Sequence, residues 1–157
     1  MYIIICGHHR ALETVRGKPG YHDLLFITSP RDPFGLPGTE TILEQVRAGL
    51  MLQFDDISGP IDDMIEPRRE HVARALAWAA DKSNLIVACQ AGISRSSGMA
   101  VVLRAARMPV PEALQILDPA VHHPNQLVVQ HGEDILGITG LADAVSEWKR
   151  YRRSLFG

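Results

Sequence analysis

Residues Cys89-Gln90-Ala91-Gly92-Ile93-Ser94-Arg95-Ser96 constrain the fold more than any other part of this chain. A cysteine, five spacers, an arginine and a hydroxyl residue stand there between two segments of different periodicity. Leu85 to Cys89 is short, apolar and β-branched, the pattern of a buried parallel strand, whereas residues 96–107 read as a helix that is apolar on most sides. A loop that leaves such a strand and enters such a helix lies at the helix N-terminus. Unpaired backbone N–H groups and the positive end of the macrodipole favour an anion at that point.

The residue types in the loop fit that anion. Inward N–H groups and a guanidinium both stabilise a thiolate, so Cys89 is placed to be a nucleophile. Arg95 carries the planar fork that holds two phosphate oxygens at once, and Gly92 allows the positive φ of a tight anion-cradling turn beside the small Ala91. The Ser96 hydroxyl can donate to the sulfur when it departs as thiolate. The bland alternative is a buried cysteine with an arginine capping nearby, and it leaves Gly92, Ser94 and Ser96 without a reason.

The segment Cys89 to Ser96 resembles the catalytic loop of the cysteine-dependent protein tyrosine phosphatase superfamily, and Ala91-Gly92-Ile93-Ser94-Arg95-Ser96 is closest to its dual-specificity branch. The wider resemblance, from the first strand to about residue 137, is to small bacterial predicted tyrosine phosphatases. It implies Cys89 as nucleophile, Arg95 as phosphate ligand, the loop residues Gln90, Ala91, Gly92, Ile93 and Ser94 as substrate contacts, and Ser96 as the group that eases thiolate departure. It also implies an aspartate some thirty residues upstream as general acid. Asp56 lies 33 residues before Cys89 and Asp55 lies 34. Aligning Leu52 and Phe54 with the paired apolar residues of the family strand favours Asp56, with Asp55 as its neighbour. Gly59 in the following loop could let the acid-bearing segment move, and Asp62 and Asp63 read as a solvated acidic turn.

Downstream, Pro124-Asn125 resembles the segment whose asparagine braces the catalytic loop, and Asn125 is equally an ordinary helix N-cap. One position departs from the pattern: Ala88 stands where the family carries a histidine before the cysteine. No aromatic phosphotyrosine-recognition loop precedes Asp55, Tyr21 and Phe34 being weak candidates. The five spacers contain no lysine, which favours phosphoprotein over polyphosphoinositide within the resemblance.

The remaining pattern is an α/β alternation, with the expected architecture a central, mostly parallel sheet of four or five strands flanked by helices. Residues 2–6 and 24–28 read as strands and 29–38 as a Pro/Gly-rich loop. Helices are expected at 40–45, at 67–81 with Pro67 as the first helical residue, at 111–117, from Asn125 to Leu136, and at 141–152. With 157 residues, 46% hydrophobic and 22% charged, the chain suits a single domain spanning 1–157. The net charge of −2 gives no general attraction to nucleic acid or membrane, and the basic run Trp148 to Arg153 reads as a solvated helix face. Two cysteines, Cys6 and Cys89, make no disulfide framework, and a thiolate nucleophile implies a reducing, cytoplasmic setting. Cys6 reads as a buried strand cysteine.

His8-His9 and His122-His123 are tempting metal pairs. Neighbours on a strand point to opposite faces and no third ligand stands at a readable spacing, so they read as surface histidines, and His71 as a polar-face or satisfied residue. The expected function is therefore metal-free and cofactor-free hydrolysis of a phosphorylated protein or small phosphomonoester. The alternative is a catalytically weak or inactive phosphate-binding module. Sulfur transfer leaves Arg95-Ser96 and the upstream aspartate unexplained, and arsenate reduction needs partner thiols beyond Cys6.

Overall fold

Four parallel strands form the centre of the computed structural model, which describes residues 1–157. They are β1 (Tyr2–Gly7), β2 (Asp23–Thr28), β3 (Ala48–Gln53) and β4 (Asn84–Cys89), hydrogen-bonded in the order β1-β4-β2-β3. Each neighbouring pair is parallel, with Gly7 opposite Cys89, Phe26 opposite Ala88 and Thr28 opposite Gln53. Leu24, Leu25, Phe26 and Ile27 are fully buried, as are Leu85 to Ala88. A central parallel strand is covered on both faces, which is why these segments read as continuous apolar runs.

The covering helices are α1 (His8–Gly17), α2 (Arg69–Ala79), α3 (Arg95–Ala105), the single turn α4 (Val110–Ala113), α5 (Gln126–Leu136) and α6 (Leu141–Phe156). Alternation along the strands sorts side chains between two cores. Leu25, Ile27, Leu85, Val87 and Cys89 join the larger one, with Met99, Val102, Val128 and Leu141 from the helices. Leu24, Phe26, Ile86, Ala88 and Cys6 join the smaller one with Ala11, Leu12 and Val15 of α1. Cys6 and Cys89 thus leave opposite faces of the sheet and are not placed to form a disulfide. Burial pushes the Cys6 thiol up to about 12, with Arg10 opposing and Cys89 adding to the rise.

Several expectations need correction. Helix α1 was not expected: residues 8–17 carry His8, Ala11, Leu12 and Val15 on the buried face, a 3.6-residue pattern visible only when His8 counts as buried. His8 and His9 are therefore helical, not on a strand, and His8 and His122 are buried, not surface residues. The His122 Nδ1 accepts from the Asp118 N–H at 2.9 Å, which satisfies it inside its own turn. Pro67 lies before α2, whose N-cap is Arg68; the Arg68 N–H donates to His71 Nδ1 at 3.0 Å, so the first turn is set by that bond. The 40–45 segment is a 3₁₀ helix, Thr39–Gln45, and residues 111–117 split into α4 and a 3₁₀ turn, Leu114–Ile116. The basic run of α6 is only partly solvated, since Trp148, Lys149 and Arg152 are half-buried. No helix is long and apolar enough to cross a membrane.

Candidate active site

β4 ends at Cys89 and α3 begins at Arg95, so the intervening loop sits over the C-terminal edge of the sheet, where open α/β folds bind ligands. Gly92 holds φ +73°, and a β-carbon there would collide with the backbone of Cys6 and Gly7. The loop therefore presses against the end of β1, an approach that a residue with a side chain prevents. At its base the Cys89 Sγ and Ser96 Oγ are 3.1 Å apart, both buried.

Arg95 is 4% exposed. Its Nη1 donates to Ser29 Oγ at 3.1 Å and to the Phe54 carbonyl at 2.9 Å. Those two acceptors lie at the ends of β2 and β3 and fix the guanidinium plane. The buried Nε has no protein acceptor. A buried charged donor without a partner is costly, and an oxyanion bound at the Nε edge would satisfy it.

The two aspartates separate clearly. Asp55 is buried, its N–H donates to the Ile65 carbonyl at 2.6 Å, and its Oδ2 accepts from the Ile65 N–H at 2.7 Å. This carboxylate closes the base of the 55–65 loop. Asp56 is exposed and turns to the cysteine loop, where its Oδ1 accepts from Ser94 Oγ at 2.7 Å and from Asn125 Nδ2 at 3.0 Å. Asp62 and Asp63 are exposed.

Asn125 caps α5, and its side chain otherwise reaches Asp56 and Ile57 and not the cysteine loop itself. Its Oδ1 accepts from the Leu127 and Val128 N–H groups at 3.1 Å each, capping α5, and its Nδ2 donates to Asp56 and to the Ile57 carbonyl. The same segment ties down the loop, since the His123 N–H donates to the Ile93 carbonyl at 2.9 Å and the Asn125 N–H to the Ser94 carbonyl at 3.0 Å. Gly98 makes this possible; its Cα faces the Asn125 backbone, and a β-carbon would stand 3.1 Å from the Asn125 nitrogen and oxygen. Of the spacers, Gln90, Ala91 and Ile93 are exposed, Ile93 by 40%, and Gly92 is buried.

Two groups near the loop were not legible as part of it. Ser29 reaches Arg95 across 66 positions of sequence. His8 stacks on Phe26 with ring centroids 4.1 Å apart, and its Nε2 is 2.9 Å from the Ile27 carbonyl. Burial pushes the His8 pKa below the usual histidine value; the Ile27 bond opposes this and the Arg95 charge adds to it. Ala88, the departure from the family pattern, lies opposite Phe26 in the sheet, on the face that His8 covers. No three His, Cys, Asp or Glu side chains converge as a metal site would require.

No protein-family model and no curated protein matches the chain in sequence. Solved structures do match. The structure of PTPMT1 in complex with PI(5)P is 13% identical, covers 92% of each chain and gives a TM-score of 0.61. A human tyrosine phosphatase-like serine/threonine/tyrosine-interacting protein is 15% identical, over 86% of this chain and 91% of that one, with a TM-score of 0.63. DUSP15 is 17% identical, over 99% and 92%, with a TM-score of 0.57. With a parallel sheet whose last strand opens through Cys89 onto α3, the chain has the fold of the cysteine-based dual-specificity phosphatases.

Proposed function

We propose that the protein hydrolyses phosphomonoesters through a phosphocysteine on Cys89. The observation that carries this reading is the buried guanidinium of Arg95, tethered by Nη1 and left with its Nε unpartnered, on the same loop as Cys89, whose sulfur meets Ser96. A phosphoryl group seated in the loop fills that edge and sits above Cys89. In the first step the Cys89 sulfur attacks phosphorus in line, the bond from phosphorus to the ester oxygen breaks, and Asp56 gives its proton to that oxygen. In the second, Asp56 takes a proton from water as the water attacks phosphorus, the sulfur–phosphorus bond breaks, and Ser96 donates to the departing thiolate. Inorganic phosphate leaves, and electrons and protons return to their starting places. Gln90 to Ser94 supply the backbone cradle, Asn125 holds Asp56 against the loop, and the contacts of Asp55 suit a structural role. The working unit is the whole 1–157 chain, and the thiolate chemistry suits a reducing compartment such as the cytoplasm.

The test is hydrolysis of p-nitrophenyl phosphate under reducing conditions, without added metal, by the wild type beside Cys89→Ser. Turnover present in the first and absent in the second supports the mechanism. Ala88 favours a second reading, a module that binds phosphate without consuming it; phosphate binding with no turnover in either protein would select that reading.

A further inference from the structure

A cleft of about 250 Å³ opens beside the cysteine loop, between the start of α1, the end of β2 and the 29–36 loop. Its walls are His8, His9, Thr28, Ser29, Asp32, Gly35, Leu36 and Gln90, and only Leu36 is apolar. It joins the phosphate site at two points: Gln90 follows Cys89 in the chain, and Ser29 accepts from the Arg95 guanidinium. Asp56 stands at the end of β3 and contacts the other end of the loop, at Ser94. A leaving group carried by a phosphate on Cys89 therefore has the acid at one flank and this cleft at the other.

We propose that the cleft is a subsite for the hydroxylated ring of a singly phosphorylated polyol, of the sugar or inositol monophosphate class. This rests on the hydrolase reading for its chemistry, but not for its binding. Three features select the occupant. The volume is below the 300–1,000 Å³ usual for drug-sized ligands, which suits one ring and not a peptide segment. Six of the eight lining residues carry polar side chains that can meet ring hydroxyl groups, and only Leu36 is hydrophobic. The tautomer of His8 is set by the Ile27 carbonyl, which accepts a hydrogen bond from Nε2–H and leaves Nδ1 as an acceptor; the Asp32 carboxylate packs against Gly35 and pairs with no cation. Two acceptors beside the Gln90 amide and the Ser29 hydroxyl suit vicinal hydroxyl groups. The Asp32 charge also disfavours a second phosphate, so one phosphate is specified.

The experiment compares kcat/KM for a hexose monophosphate, a hexose bisphosphate, myo-inositol monophosphate, a phosphotyrosine peptide and p-nitrophenyl phosphate, using wild type, Asp32→Ala and Asp32→Lys. Calorimetric binding of hexose monophosphate and inorganic phosphate to Cys89→Ser accompanies it. The expected result is a polyol monophosphate preferred to the peptide, with its kcat/KM relative to p-nitrophenyl phosphate falling about tenfold in Asp32→Ala. Asp32→Lys should shift preference toward a hexose bisphosphate. A preference for the phosphotyrosine peptide, or substrate ratios that neither Asp32 variant moves, overturns the subsite. If p-nitrophenyl phosphate is not hydrolysed at all, the hydrolase reading fails separately and binding decides: hexose monophosphate binding Cys89→Ser about tenfold tighter than inorganic phosphate upholds the subsite, and equal affinities sink it.

Discussion

Replacing Asp56 and Asp55 in turn by asparagine separates chemistry from architecture, because the two neighbours hold such different contacts. Asp56→Asn keeps a carbonyl oxygen for Ser94 and Asn125 to donate to, so the loop geometry survives while the transferable proton is lost. General acid catalysis contributes about 10²–10⁴ in rate, or about 3–5 kcal/mol of barrier, and it matters most when the leaving oxygen is basic. Hydrolysis of an alkyl phosphate should fall by about that factor, and p-nitrophenyl phosphate by much less, since p-nitrophenolate departs without help. Asp55→Asn keeps an acceptor for the Ile65 N–H, and its rate should stay within about threefold of wild type. Asp55→Ala removes that acceptor and orphans a backbone donor, at about 1–3 kcal/mol, or about 2–4 °C of Tm per kcal/mol in a chain of this length. Single-turnover kinetics with the two esters, beside thermal unfolding of all three variants, reads each effect on its own. An alkyl-to-aryl rate ratio that collapses in Asp55→Asn and not in Asp56→Asn would refute the assignment.

Three further outcomes follow from the geometry. Gly92→Ala forces a left-handed residue and a backbone collision with β1, so urea denaturation should show about 2–4 kcal/mol lost together with weaker phosphate binding; a change under 0.5 kcal/mol would mean that the loop does not press on β1. Asn125→Ala should cost about 1 kcal/mol from the lost α5 cap and also slow turnover, whereas Asn125→Asp keeps the cap and loses the Nδ2 donor, so it should slow turnover with a smaller stability loss; wild-type turnover in Asn125→Asp beside slowed turnover in Asn125→Ala would tie the activity loss to the cap. His8 is held neutral in the fold, so the unfolded chain binds its proton at higher pH than the folded one does. Its contribution to stability is complete above the unfolded pKa of about 6.5 and declines as pH falls toward the depressed folded value. The urea midpoint should therefore drop between pH 7.5 and 5.5, less steeply in His8→Asn, and parallel slopes in the two proteins would exclude the effect.

Much of the frame is written locally. The apolar runs of β2 and β4 announce a buried parallel sheet because residues 23–28 and 85–89 are all buried, and the cysteine loop stands out because the anion cradle expected there needs glycine, arginine and hydroxyl residues at fixed offsets. Helix α1 escaped because its buried stripe starts with a histidine, which pattern reading places outside. The start of α2 was placed two residues early because proline commonly opens a helix, while here the Arg68–His71 bond sets the first turn.

The sequence by itself determined the parallel sheet, the position of the loop between strand and helix, and the chemical equipment of that loop, because each depends on residues within one short segment. Tertiary structure alone decided which aspartate turns to the loop, that Ser29 and Phe54 aim Arg95, that Cys6 and Cys89 face apart, and that His8 and Asp32 wall a cleft beside Gln90. Asp55 and Asp56 have the same chemistry and adjacent positions. They differ only in that one finds the Ile65 backbone and the other finds Ser94, 38 residues away, and such long-range pairings exist only once the strands have packed.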